Sequence, residues 1–168
     1  MALRQIREMG DPILTKTSKE VKEITPRIRD LIDDMWETMH EAEGVGLAAV
    51  QVGILKRIFI VETGENEKYT FINPRIVLAE GEQTDYEGCL SVPGKLGEVT
   101  RPEHVIVEAF DENMNPIKVE GHELLARAMC HEYDHLDGKI YVDLVEGELY
   151  DSDNIPQDED DESEGQEQ

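Results

Sequence analysis

The stretch RAMCHEYDHLDG, residues 127–138, carries the pattern His-Glu-x-x-His at His131, Glu132 and His135. In an α-helix, residues four apart lie on the same side, so both imidazoles can bind one divalent metal ion. Glu132 follows His131 directly, which places its carboxylate beside a metal-bound water without making it a ligand. The spacing predicts a metal centre with a general base next to it, and the alternative is a pair of solvated surface histidines.

A third ligand could come from either of the two cysteines. Cys130 is adjacent to His131, and neighbouring helical residues point about 100° apart, so we expect it in the core. Cys89 is the better candidate, because it lies in YEGCLSVPG between Gly88 and Pro93, where the backbone can approach closely and is then held rigidly. A thiolate and two imidazoles leave a tetrahedral ion one open position for water, as in catalytic sites.

A third stretch, EGVGLAAVQVG at residues 43–53, combines small residues with an amide side chain. The small residues would let a substrate backbone lie against the chain, and Gln51 would supply a hydrogen-bond donor. Tight packing after a helix explains the same residues, and both interpretations are open at this point.

GVGLAAVQ, EGCLS and HEYDH, in this order and separation, closely resemble the three motifs of the bacterial peptide deformylases. The resemblance covers about residues 1 to 145. It implies hydrolysis of the N-terminal formyl group from nascent N-formylmethionyl polypeptides, with formate released and a metal-bound water as the nucleophile. It also implies that Cys89, His131 and His135 are the metal ligands. Glu132 would be the general base and then the general acid.

The resemblance assigns roles to further residues. It implies oxyanion donors at the Gln51 side chain and the Leu90 N–H, and a substrate-holding backbone at Gly46. It also implies an ion pair between Glu87 and Arg101 that braces the cysteine loop. For the metal it favours Fe²⁺ in the cell, with Zn²⁺ or Ni²⁺ possible in purified protein, and a Cys-His-His set accepts any of these ions.

The pocket for the methionine side chain is predicted from helical spacing. Leu124, Arg127 and Ala128 precede His131 by seven, four and three residues, on the ligand face of the helix. With Val45 they would form an apolar wall, to which Arg127 contributes its stem. The alternative is that Leu124 and Ala128 belong to the core.

Three other functions would require different residues. A metalloprotease of the His-Glu-x-x-His type takes its third ligand downstream as His or Glu. The nearby downstream carboxylates are Asp137, Asp143 and Glu146. A structural zinc site needs a fourth ligand, for which Cys130, His104 and His122 are poor candidates. An inactive paralogue would have lost Glu132 or a ligand, and all are present.

The remaining sequence predicts the elements that hold these residues. Thr25 caps a helix that starts at Pro26 and ends near Gly44, and the metal-binding helix ends at Gly138. Strand-like runs occupy residues 57–62, 69–74, 75–80, 103–110 and 117–121. The absence of strand–helix alternation favours an α+β fold. The resemblance implies antiparallel sheets around the metal-binding helix, plus the N-terminal helix.

Composition limits the partners. The 168 residues carry a net charge of −23, which argues against binding to DNA or an anionic membrane. The first residues lack an apolar core long enough for a signal peptide, so neither a signal peptide nor a membrane span is expected, and two cysteines fit a reducing cytoplasm. Residues 1–150 are expected to form one catalytic domain, and residues 151–168 an acidic, disordered tail. Ribosome docking is therefore not expected through a basic tail, and a monomer is favoured.

Overall fold

The strands of the computed structural model, which describes residues 2–155, form two antiparallel sheets. In chain order they are β1 (Gly46–Ala48), β2 (Ile58–Gly64), β3 (Glu67–Glu80), β4 (Gln83–Cys89), β5 (Val92–Arg101), β6 (His104–Phe110), β7 (Pro116–His122) and β8 (Glu146–Asp151). Five strands form one sheet in the order β1-β2-β3-β6-β7, and β4-β5-β8 form the other. With helices α1 (Pro26–Glu41) and α2 (Glu123–Leu136), this arrangement confirms the predicted α+β class.

Helix α1 begins at the predicted cap. The Thr25 side-chain oxygen accepts a hydrogen bond from the Ile28 N–H at 3.2 Å, and Pro26 stands at the first helical position, where its missing N–H costs nothing. The helix ends at Glu41, three residues before Gly44. Its buried face packs on the five-stranded sheet.

The five-stranded sheet lies between the two helices, and β2 shows why. Successive strand residues point to opposite faces. Ile58 and Ile60 are buried in the cluster that includes α1, whereas Phe59 and Val61 are buried in the cluster that includes α2. Because both faces are covered, β2 needs a continuous apolar run instead of an alternating one.

Helix α2 is held at both ends. At its start, the Gln83 side chain donates to the Glu123 carbonyl at 2.7 Å. At its end, the Arg57 guanidinium donates to the Leu136 carbonyl at 3.1 Å and contacts the Asp137 carboxylate at 3.0 Å. A cation at a helix C-terminus also interacts favourably with the helix dipole. These contacts fix the position of the helix that carries both histidines.

The observed strands differ from the predicted ones in two ways. The runs at 69–74 and 75–80 form a single strand, β3, which bends at Asn73. That residue has a φ of 51°, and its side chain pairs with the backbone of Val21 at 2.8 Å. Besides the short β1, the sequence also did not predict β4, β5 and β8, the whole three-stranded sheet, because glycines and charged residues interrupt their apolar pattern.

The predicted boundary after Tyr150 falls inside β8. Asp151 is paired with Lys95 of β5 in the strand register and by an ion pair, and the Ser152 N–H donates to the Gly94 carbonyl at 2.9 Å. Residues 156–168, the rest of the predicted acidic tail, lie outside the described residues, and their expected disorder stays a prediction. Within residues 2–155, neither helix is long and apolar enough to cross a membrane.

Candidate active site

Three potential metal ligands from β4 and α2 converge. The Cys89 Sγ lies 3.3 Å from the His135 Nε2, which lies 3.3 Å from the His131 Nε2. Cys89 is the last residue of β4, and the chain turns at once into β5, so the hairpin presents the thiol to the helix. The structure therefore brings together the three residues that the sequence proposed as ligands.

These atoms fit a tetrahedral divalent ion. Bonds of about 2.0–2.1 Å to nitrogen and about 2.3 Å to sulfur separate the ligand atoms by about 3.3–3.6 Å, and the His135 Nε2 lies 3.3 Å from each of the other two atoms. Burial, together with the neighbouring His131, holds the pKa of His135 well below its usual value. The ring is therefore neutral, as a ligand must be.

A buried carboxylate orients His131. The His131 Nδ1 donates to Glu87 at 2.6 Å, which leaves Nε2 free to face the other two ligands. Glu87 also pairs with Arg101 at 2.6 Å and with Arg127 at 2.9 Å. Burial opposes ionisation of Glu87, but the hydrogen bonds from His131 and Arg101 lower its pKa to about 2. The carboxylate therefore stays charged, and Arg101 extends the network to Asp134 at 2.7 Å.

Glu132 lies beside the ligands and is not one of them. Its Oε2 is 3.9 Å from the His131 Nε2, and its buried Oε1 has no hydrogen-bond partner within residues 2–155. Burial raises the pKa of Glu132 to about 7, close to the value that suits a group that both accepts and returns a proton. A Cβ on Gly46 would lie 2.6 Å from the Glu132 Oε2, so only glycine leaves room for this carboxylate.

Gln51 is held at the same centre by a residue that sequence reasoning missed. Its Nε2 donates to the Ser91 Oγ at 2.9 Å and lies 3.5 Å from the Cys89 Sγ, while its Oε1 accepts from the Ala48 N–H at 2.9 Å. Ser91 is fully buried and follows Leu90 in the β4–β5 turn. The sequence offered one indication of this role, because Ser91 is the last residue of the EGCLS motif.

The N-terminal segment supports these two loops from outside, which the sequence also did not predict. The Arg7 N–H donates to the Gln51 carbonyl at 2.7 Å, and the Met9 N–H donates to the Ser91 carbonyl at 2.8 Å. Both contacts join segments that are far apart in the chain.

Two of the candidate ligands, Cys89 and His131, line a cleft of about 480 Å³, a size that suits a small ligand or a few residues of a peptide. Its lining includes Gly46, Leu90 and all four predicted pocket residues, Val45, Leu124, Arg127 and Ala128. Val45 is 45% exposed and Leu124 49% exposed. Leu124 is therefore not a core residue, whereas Ala128 is buried and belongs to both the cleft wall and the core.

Arg127 has a second contact pattern that the sequence did not indicate. Its guanidinium donates to the Glu87 carboxylate at 2.9 Å, to the Val99 carbonyl at 3.0 Å and to the Gln83 carbonyl at 3.3 Å. The Arg127 guanidinium is thus hydrogen-bonded to other groups of the protein. Arg127 therefore braces Glu87 in addition to contributing to the wall.

The other candidate ligands lie elsewhere. Cys130 is buried in the core as predicted, and burial raises the pKa of its thiol to about 11, so it stays protonated. Asp137 binds Arg57 at 3.0 Å. His104 and His122 belong to a separate group with Glu120. The metalloprotease and structural-zinc alternatives therefore gain no ligand from these residues.

Comparison with known proteins agrees with this geometry. The polypeptide deformylase family model matches residues 3–149. The chain is 60% identical over 151 residues to a peptide deformylase of Agathobacter rectalis, covering 90% of this chain and 95% of that protein. A crystal structure of a peptide deformylase from Legionella pneumophila superposes with a TM-score of 0.83 at 40% identity, covering 86% of each chain. One from Ehrlichia chaffeensis in complex with actinonin gives 0.84 at 38% identity, covering 87% of this chain and 90% of that one. The chain therefore belongs to the polypeptide deformylase family, enzymes that remove the formyl group from nascent peptides.

Proposed function

We propose that this enzyme hydrolyses the formyl group of N-formylmethionyl peptides with a divalent ion held by Cys89, His131 and His135. The observation that carries the proposal is the convergence of these ligand atoms beside the buried Glu132 carboxylate, whose Oε1 has no hydrogen-bond partner among residues 2–155. When bound, such an ion would polarise the formyl oxygen and lower the pKa of a water molecule. Fe²⁺ is the expected ion in the cell, and Zn²⁺ or Ni²⁺ could replace it in purified protein.

The substrate would enter along the free edge of the five-stranded sheet. β1 is one of the two edge strands of this sheet as residues 2–155 form it, so one side of its backbone can pair with an extended peptide. Gly46 would hold the peptide backbone at this point. Val45, Leu124 and Ala128 would surround the methionine side chain in the cleft.

Glu132 would move the proton. It would accept a proton from the attacking water at Oε1 and then deliver it to the departing amine nitrogen. The Gln51 Nε2 and the Leu90 N–H would donate to the oxyanion that develops on the formyl oxygen, and the loss of one such donor typically costs about 10²–10³-fold in rate. Glu87, Arg101 and Arg127 would keep His131 in position.

The physiological substrates would be nascent chains in the cytoplasm. Ribosome docking through a basic tail is not expected, because no Lys or Arg follows Lys139. The favoured oligomeric state stays a monomer.

A pair of assays tests the reaction. Metal-loaded protein should release formate from formyl-Met-Ala-Ser and should leave casein intact, because the ligand set and the cleft suit an N-terminal formamide. Free formate and new casein fragments are the two readouts. Casein cleavage without formate release would assign the centre to a protease instead.

Replacing Gly46 by alanine tests the close approach of Glu132. The new Cβ would lie 2.6 Å from the Glu132 Oε2, so the carboxylate must move. A displacement of about 1 Å can cost about 10²-fold in rate, and we expect kcat/KM for formyl-Met-Ala-Ser to fall by about that factor with the metal content unchanged.

Gly64→Ala is the matched control, because its new Cβ would have no neighbour closer than 4.0 Å. It should keep the parent kcat/KM. Near-parent turnover by Gly46→Ala would mean that the position of Glu132 is not set by this glycine.

A further inference from the structure

A second group of metal-binding side chains lies outside the cleft, on the exposed ends of β3, β6 and β7. Glu80, His104 and His122 form a row across the three strands, since His104 is paired with Glu80 on one side and His122 on the other. Glu120 lies two residues before His122, on the same face of β7. Two imidazoles and two carboxylates therefore share one small patch.

The distances within this patch are short. The His104 Nδ1 lies 2.7 Å from a Glu80 oxygen, and the His104 Nε2 lies 2.6 Å from a Glu120 oxygen. One ligand atom each from His104, Glu120 and His122 lies within 4.8 Å of the other two. Within residues 2–155, the group formed by Cys89, His131 and His135 is the other one that meets this criterion.

His104 has the environment of a bound cation. His104 donates hydrogen bonds to two carboxylates, Glu80 and Glu120, and these bonds raise the pKa of His104, with Glu80 the larger cause. Glu103 adds a third carboxylate, 3.5 Å from the His122 Nδ1. Three carboxylates thus face the two imidazoles, and a metal ion would bind between the His104 Nε2 and Glu120, where a hydrogen bond now joins them.

The rings of His104 and His122 set one condition on metal binding. They are stacked with centroids 4.2 Å apart and planes 4° from parallel. Lone pairs lie in the plane of each ring, so two parallel rings cannot both point at one ion. His122 must turn about its side-chain bonds, and with 57% of its side chain exposed it has room to do so.

We propose that His104, His122 and Glu120 form a second, surface site for a first-row transition ion such as Zn²⁺, while Glu80 accepts the Nδ1–H of His104 and orients its ring. Imidazole and carboxylate ligands suit this class of ion. The proposed site also lies close to the active-site cleft along the chain. His122 is the residue before α2, and Leu124 of the cleft wall is two residues away.

The test is a calorimetric titration of Zn²⁺ into enzyme whose active site is already filled with metal. We expect one further zinc ion to bind per chain. His122→Asn should weaken that binding by at least about tenfold, because even the loss of a group that only orients a ligand costs about 10–100-fold. Asparagine is a good helix N-cap, so the start of α2 is preserved. Glu120→Gln should weaken the same step.

His40→Asn is the matched control, since His40 is an exposed histidine paired with the single carboxylate of Glu62 at 2.5 Å. It should leave the additional zinc ion in place, and all variants should keep the parent rate of formate release at low zinc. The proposal is overturned if the filled enzyme binds no further zinc ion. It is also overturned if His122→Asn binds zinc as tightly as the parent does, which would place the ion on other acidic groups.

Discussion

A metal-loaded Glu132→Gln variant should release formate from formyl-Met-Ala-Ser roughly 10²–10⁴-fold more slowly than the parent, the usual contribution of a general acid–base group. Glutamine has nearly the same shape and fits the buried site against Gly46, but its amide cannot accept the proton of the attacking water. Because Glu132 is placed beside the proposed ligands and not among them, the active-site ion should remain bound. Single-turnover rates and metal content, measured on the same preparation, check both statements.

Glu65→Gln is the control for this variant, since it removes one negative charge from an exposed position. It should retain the parent rate, which separates the role of Glu132 from a general effect of charge. If metal-loaded Glu132→Gln turned over normally, another base would have to do this work.

Removal of a metal ligand should have an equally large effect, but for a different reason. Cys89→Ala and His135→Ala should each purify without the active-site ion and should lose nearly all activity, because two remaining ligands cannot hold it at low free metal. Elemental analysis after gel filtration in metal-free buffer measures this loss directly. Both variants should also fail to regain activity when stoichiometric metal is added.

Cys130→Ala separates the two cysteines. Cys130 is buried in the core with a protonated thiol, so the variant should keep the metal and the activity. Loss of a buried group should lower its stability modestly, by about 1 kcal/mol. The opposite pattern, with metal lost from Cys130→Ala and retained by Cys89→Ala, would reverse the ligand assignment.

Features that depend on short stretches of chain could be predicted from the sequence. The cap of α1 at Thr25 and the shared face of His131 and His135 follow from helix geometry, in which spacing along the chain sets position in space. The burial of Cys130 followed from the same geometry. The motifs GVGLAAVQ, EGCLS and HEYDH were enough to indicate the family.

The three-stranded sheet could not be predicted in this way. β4 and β5 contain Gly88, Pro93 and Gly94 together with several charged residues, so no apolar alternation marks them as strands. Their pairing depends on a register between two segments, and it is this register that turns Cys89 towards α2. The sequence suggested Cys89 as a ligand from its chemistry. Only the β4–β5 hairpin brings its thiol close to the histidines of α2.

The same reason applies to the contacts of Arg127 and to the pairing of His104 with His122. Spacing along α2 placed Arg127 on the ligand face, but its bonds to Glu87 and to the Val99 carbonyl join it to strands about 30 to 40 residues away. His104 and His122 are 18 positions apart and meet only because β6 and β7 pair in one register. A helix fixes its own geometry within a few residues, whereas contacts between strands depend on how the whole chain packs.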